Sequence, residues 1–294
     1  MPATLPALDS ARLLADISVL AADSMEGRRV GTPGSARARA FLLGEFARIG
    51  LAPLTDSVPS PFTIRGRTGL GPEVSGVNLL AVIRGTVHPD RFIVLSAHYD
   101  HLGVRDGQVF NGADDNASGT CAVLAIAQWL TAHRPENSVI IALFDAEESG
   151  DLGSKAFVAN PPVPLARMAA DVNLDMVSRN AKGELYAAGG TPNPVLRPLV
   201  DSVAALAAVK IIQGHDGAKA GQDDWTQQSD QGAFATRKVP FMYFGVEDHP
   251  DYHRPTDKVE HIDPAFYYRA TRAIAEFVVR LDRALDRVAA ARTP

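Results

Sequence analysis

The chain has 294 residues, enough for one large α/β domain or two small ones. Apolar residues make up 46% and charged residues 21%, so there is material for a sizeable core. Twenty-nine basic against 34 acidic residues give a net charge of −5, which is no electrostatic footprint for nucleic acid or an anionic membrane, and no apolar run reaches the ~18–20 residues of a membrane span.

In chain order, residues 10–23 and 35–49 read as amphipathic helices around a Gly/Pro break at Gly31–Gly34, and Gly50 stops the second. Residues 51–76 are rich in Pro, Gly, Ser and Thr and read as loop. Asn78–Ile83 and Arg91–Ala97 are predicted strands, followed by a helix over Ala117–Ala132. Ser138–Phe144 is a buried strand, Leu152–Ala159 a helix and Met168–Leu174 another strand. A helix over Pro194–Ala208 and a last strand over Val239–Phe244 precede a closing helix over 264–289, apolar at steps of three and four. The one cysteine, Cys121, falls in an apolar helical run and reads as a buried, inert thiol. Met1–Leu8 has no basic segment followed by an apolar stretch, so no signal peptide is visible.

Strands alternating with helices argue a doubly wound α/β sheet, whose sites form beyond the carboxyl ends of the strands. Residues of metal-ligand type fall there. His98 and Asp100 follow the second strand, Asp145, Glu147 and Glu148 follow S-V-I-I-A-L-F, Asp175 ends the next, and His253 follows the last. Asp114 and Asp115 stand in N-G-A-D-D-N-A-S-G before a helix. Each alone has a plain alternative. A histidine at a strand end is commonly structural, Asp114–Asp115 could cap a helix, Glu147–Glu148 could be a solvated turn, and Asp175 could be a turn residue. Four strand ends carrying such residues together outweigh those readings, because histidine nitrogen and carboxylate oxygen are the donors of a catalytic zinc.

The ordered set A-H-Y-D, G-A-D-D-N-A-S-G, A-E-E-S-G, N-L-D-M-V and Y-H-x-x-x-D resembles the co-catalytic zinc aminopeptidases related to aminopeptidase Y and the secreted bacterial leucyl aminopeptidases. The likeness runs from about Leu20 to the end, and L-A-A-D-S-M-E-G-R-R-V-G-T-P-G is similar to that family's early segment. The resemblance implies an α/β fold: a single three-layer domain over 1–294 with a mixed, mostly parallel central sheet flanked by helices. Residues 1–50 would be a helical segment packed on it. The family's protease-associated insert has no room in the roughly 27 residues between Gly50 and Asn78.

By motif position the resemblance gives two zinc ions per chain. His98 and Asp175 would bind one, Glu148 and His253 the other, and Asp115 would bridge both. Glu147 would be the general base for a water shared by the zincs, and Asp100 would orient His98. Three ligand carboxylates and a bridging hydroxide balance the charge of two Zn²⁺, whereas five crowded carboxylates without metal would repel. A cis peptide bond is implied after Asp115. The implied substrates are peptides with a free N-terminus, cut by a monomer in a secreted or periplasmic setting.

Asp230 in Q-S-D-Q-G-A-F matches a position where Ser-Asp-His is usual, and Gln231 in place of histidine weakens its expected contact with substrate. Asp257 reads as a neighbour of the ligands or a turn residue, and His101, His215 and His249 read as loop residues rather than ligands. The loops 215–234 and 245–253 should rim the pocket, with Asp223, Asp224, Asp230, Glu247 and Asp248 facing an ammonium. Three rival functions stand beside this one. A glutaminyl cyclase would use one zinc, a carboxypeptidase would need a cation among Arg105, Arg179, Arg237 and Arg254, and a binding protein on a dead peptidase fold should have lost ligands, of which none is missing.

Overall fold

Two capped helices open the chain in a computed structural model that describes residues 5–65, 73–217 and 223–291. Asp9 caps α1 (Ser10–Leu20) by accepting the Arg12 N–H at 2.9 Å. Thr32 caps α2 (Pro33–Ile49), Pro33 fills its first turn, and Gly50 closes it in the left-handed conformation at φ 80°.

The stretch 51–76 read as loop is corrected by the structure. It holds β1 (Ala52–Pro53) and β2 (Pro59–Arg65), and β3 (Glu73–Ile83) begins five residues before Asn78. Both short strands pair antiparallel with β3 at the sheet edge. An edge tolerates Pro59 and Pro61, whose missing N–H groups would break an interior ladder, and that proline content is what disguised the strand. Residues 66–72 lie outside the described residues.

β4 (His88–His98) is followed by a small hairpin, β5 (Gly103–Arg105) and β6 (Gln108–Phe110), turned by Asp106 and Gly107 at φ 50° and 74°. Then come α3 (Gly119–Ala132), β7 (Asn137–Phe144), α4 (Leu152–Ala159), β8 (Met168–Asp175), β9 (Glu184–Ala188), α5 (Arg197–Ala204), β10 (Lys210–Gln213), α6 (Gln231–Thr236) and β11 (Phe241–Gly245). The expected closing helix is two, α7 (Pro264–Arg283) and α8 (Leu285–Ala290), broken at Ala284.

One mixed sheet runs in the order β1-β3-β7-β4-β8-β11-β9-β10, with β2 also on β3. Its centre, β7-β4-β8-β11, is parallel, and antiparallel pairs join it to both edges. Alternate residues face opposite sides. Leu79, Ile93 and Leu95 pack with α1, α2, α3 and α7, while Leu80, Phe92 and Val94 pack on the other side. There Phe144, Phe157 and Phe234 hold α4 and α6 to the sheet, with ring centroids 5.6–6.2 Å apart. β7 and β8 are buried along their whole length, as parallel strands covered on both faces must be. Cys121 is fully buried in α3, and burial pushes its thiol well above the usual range, which keeps it inert. Among the described residues no helix is long and apolar enough to cross a membrane.

The register of the four parallel strands positions the site. His98 pairs with Phe144, and Asp175 with Gly245, so the carboxyl ends of β4, β7, β8 and β11 finish level. His98, the turn 145–150, Asp175 and the loop 246–253 therefore emerge side by side.

Candidate metal centre

The residues between β6 and α3 fold into a tight turn that carries Asp115. Gly112 there has φ 56°, and a Cβ on it would fall 2.1 Å from the Asp115 carbonyl and 2.5 Å from the His101 ring, so only glycine fits. The Asp115–Asn116 peptide bond is cis. Arg28, wholly buried, donates to the carbonyls of Leu20, Tyr99, Asn111 and Gly112 at 2.6–2.9 Å, tying the turn to the segment after β4. Asp257 accepts the N–H groups of Asp114 and Asp115. Non-glycine residues with positive φ stand at Ala146, Met176 and His253, beside or at the expected ligands, which is where strained backbone tends to gather in functional sites.

The side chains converge. His98 Nε2 lies 3.5 Å from Asp115 Oδ1 and 3.3 Å from Asp175 Oδ1. His253 Nε2 lies 3.1 Å from Asp115 Oδ2 and 3.3 Å from Glu148 Oε2. The two oxygens of Asp115 thus face two different ligand groups. Nitrogen and oxygen donors at about 2.0–2.2 Å from a tetrahedral zinc stand roughly 3.3 Å from one another, so both groups match that spacing. Glu148 Oε1 and Asp100 Oδ2 are buried without a hydrogen-bond partner, a state that a cation would relieve for the former.

The electrostatics are those of a crowded anionic cluster. Burial disfavours a charged His98, yet the carboxylates of Asp175 and Glu147 outweigh it and raise the imidazole well above its ordinary range. Burial likewise opposes the charge on His253, and bonds to Asp115 and Glu148 lift it to about 10. Burial and the neighbouring Glu148 push Asp115 up to about 6. Glu148 is buried too, but the His101 and His253 imidazoles hold its carboxyl below the usual range. Burial, then Asp175 and Glu148 against the opposing His98, raise Glu147 well above the usual range. Its side chain, 14% exposed, reaches the cleft, and its backbone N–H donates to Asp100 Oδ1 at 3.0 Å. The expected bond between Asp100 and His98 takes a different form. His98 Nδ1 faces the Asp100 backbone carbonyl at 3.3 Å, with the carboxylate at 3.7 Å.

A cleft of about 320 Å³ opens over the cluster, lined by Asp115, Glu147, Glu148, Asp175 and His253 and walled by Met176, Trp225, Tyr243, Val246 and Tyr252. Trp225 is held by stacking on His215, centroids 3.6 Å apart. Of the expected rim loop 215–234, residues 218–222 lie outside the described residues.

The model of peptidase family M28 matches residues 78–278, more than half of the chain and every candidate ligand. The chain belongs to peptidase family M28. It is 27% identical over 230 residues to leucine aminopeptidase 2 of Trichophyton rubrum, covering 71% of this chain and 45% of that protein. The matched part spans about half the length of the leucine aminopeptidase 2 relatives and 21–27% of three other curated relatives. Among solved structures it is similar to BSAP, a zinc aminopeptidase from Bacillus subtilis, with TM-score 0.76, 17% identity and coverage of 95% and 96% of the two chains. It is also similar to a glutaminyl cyclase from Porphyromonas gingivalis, with TM-score 0.74, 21% identity and coverage of 94% and 98%. These likenesses establish the fold.

In this M28 site one residue departs from its sequence expectation, and two lie in loops as expected but make contacts there that the sequence does not show. Asp230 does not line the cleft; it is fully buried at the start of α6, with both carboxylate oxygens unpartnered, so a direct substrate contact is corrected to a place behind the site. His101, read as a loop residue, is fully buried against Glu148. His249, also read as a loop residue, meets Asp114 Oδ2 at 3.1 Å, while Asp114 Oδ1 accepts the Ser178 N–H and hydroxyl. The spacing of His101 three residues after His98 was the available signal, but only the tertiary path of the turn buries it.

Proposed function

We propose that the chain is a zinc-dependent aminopeptidase that binds two zinc ions and removes N-terminal residues from peptides. The observation that carries this reading is the split of the Asp115 carboxylate, with Oδ1 toward His98 and Oδ2 toward His253. His98, Asp115 and Asp175 would hold one ion, and Asp115, Glu148 and His253 the other. When bound, the ions supply an activated water and polarise the scissile carbonyl. Glu147, its pKa raised by burial and its side chain lining the cleft, would accept a proton from water and return it to the leaving amine. Asp100 fixes Glu147 by accepting its backbone N–H.

The cleft favours the amino end of a peptide. With Asp115, Glu148 and Asp175 balanced by the metals, its described lining keeps Glu147, Asp151 and Asp248 and holds no lysine or arginine. That field attracts an ammonium and repels a carboxylate. A carboxypeptidase would aim a guanidinium into the cleft. Arg179 instead pairs with Asp251 at 2.5 Å, and Arg105 lies over the Phe110 ring. Trp225, Tyr243, Tyr252, Met176 and Val246 give the first side chain an apolar wall. The name of the Trichophyton relative points the same way.

Zinc titration of metal-free protein tests the metal part. Activity should rise to a plateau at two zinc per chain. Full activity at a saturable stoichiometry of one would overturn it and favour a cyclase, whose product from an N-terminal glutaminyl peptide is a lactam and ammonia.

A further inference from the structure

One imidazole in the centre has no assigned task. His101 is wholly buried, and neither of its ring nitrogens has a hydrogen-bond partner. Burying both groups unsatisfied is costly, so such a residue calls for an explanation. Its Nδ1 lies 2.6 Å from Glu148 Oε1, which also lacks a hydrogen-bond partner, and 3.7 Å from Asp115 Oδ2. The three donor atoms fall within 4.8 Å of one another, a grouping able to hold a metal ion. At 2.6 Å the pair is closer than the roughly 3.3 Å between donors of one zinc, so the two side chains would open by about 0.7 Å to admit an ion. The ring cannot swing away, because it packs on Gly112, where even a Cβ would collide with it. On the other side of Glu148 and Asp115 stands His253, its ring edge-on to that of His101 with centroids 5.9 Å apart.

We infer that His101 is an additional ligand of the second metal subsite, a role that rests on the two-zinc reading. That subsite then has two imidazoles, His101 and His253, with Asp115 and Glu148. The first has one imidazole, His98, with Asp115 and Asp175. The centre is therefore asymmetric. Imidazole suits zinc, nickel and copper, whereas carboxylates suit manganese and magnesium, so the second subsite discriminates more strongly for zinc over manganese.

The test uses the intact protein loaded with zinc. X-ray absorption at the zinc edge counts imidazoles, and chelator competition measures each zinc affinity. The wild-type protein should show three imidazoles per pair of zinc ions, a result that needs no variant. His101→Ala should show two, with one zinc released at least roughly tenfold more readily than in the wild type and the other unchanged. Two imidazoles per pair in the wild type would overturn the inference. So would a His101→Ala variant that loses affinity but keeps the wild-type imidazole count, since His101 would then act only by steadying Glu148. A wild-type protein that binds fewer than two zinc ions would overturn the two-zinc reading itself, and this inference with it.

Discussion

Asp257 holds the backbone of Asp115: its Oδ2 accepts the Asp115 N–H at 3.0 Å, while both carboxylate oxygens share the Asp114 N–H at 3.0 and 3.1 Å. The contact spans 142 residues and joins the loop after His253 to the turn that carries Asp115. Asp257→Ala would leave two buried N–H groups unpaired. The expected loss is about 2–6 kcal/mol of stability, from about 1–3 kcal/mol per group, together with reduced metal occupancy. Urea unfolding and elemental analysis of the same preparation read both, and unchanged metal content would show that Asp115 holds its place without Asp257.

The two adjacent glutamates are proposed to have different tasks. Glu147→Gln keeps the shape but removes the basic oxygen, so kcat should fall by roughly 10²–10⁴ with metal content intact. Glu148→Gln should instead weaken one zinc, because Glu148 faces His253 and His101. Wild-type turnover in Glu147→Gln would remove it as the base.

Asp230 sets a pH dependence. Burial, with Asp151 and Asp100 adding to it against the opposing His98, pushes its carboxyl up to about 8. The unfolded carboxyl titrates near ~3.9. Between those values the folded chain binds a proton that the unfolded chain lacks, so its stability falls as pH rises from about 4 to about 8. The slope from this group is at most ~1.4 kcal/mol per pH unit. Asp230→Asn has no such proton. Metal-free variant and wild type should unfold alike in urea near pH 4, with the variant pulling ahead towards pH 8. A constant gap across that range would contradict the assignment.

Arg28 is a buried cation bonded to four carbonyls rather than to a carboxylate. Its charge is supported at longer range by Asp100, Asp115 and Asp257, although burial lowers its pKa. Arg28→Met should cost at least about 3 kcal/mol, since bonds to a charged donor contribute about 1.5–3 kcal/mol each and are not additive. Equilibrium unfolding in guanidinium chloride measures the loss, and a change below 1 kcal/mol would show the carbonyls finding other donors.

The central sheet was legible because β7 and β11 are largely apolar, β4 has the apolar run Phe92–Leu95 and β8 is mostly apolar, and the ligand types stand at or just past the strand ends. The edges were not. β2 carries Pro59 and Pro61, and β9 and β10 are short strands whose pairing, not their pattern, makes them strands. The hairpin 103–110 did carry a signal in Asp106–Gly107 between Val104 and Val109, which the reading passed over. His101 and Asp230 show the deeper limit. Whether a polar residue faces solvent, substrate or a metal depends on how the turn around it packs, and no local spacing encodes the approach of Gly112 to His101.

The most direct test of the whole account compares leucyl and N-acetyl-leucyl chromogenic substrates on the zinc-loaded protein. Acetylation removes the ammonium that the acidic cleft is proposed to hold and adds bulk where it closes. The account predicts kcat/KM lower by at least roughly a hundredfold for the acetylated form, about 2.7 kcal/mol in the barrier. Equal values for the two, or release of free residues from the carboxy-terminal end of a peptide, would contradict it.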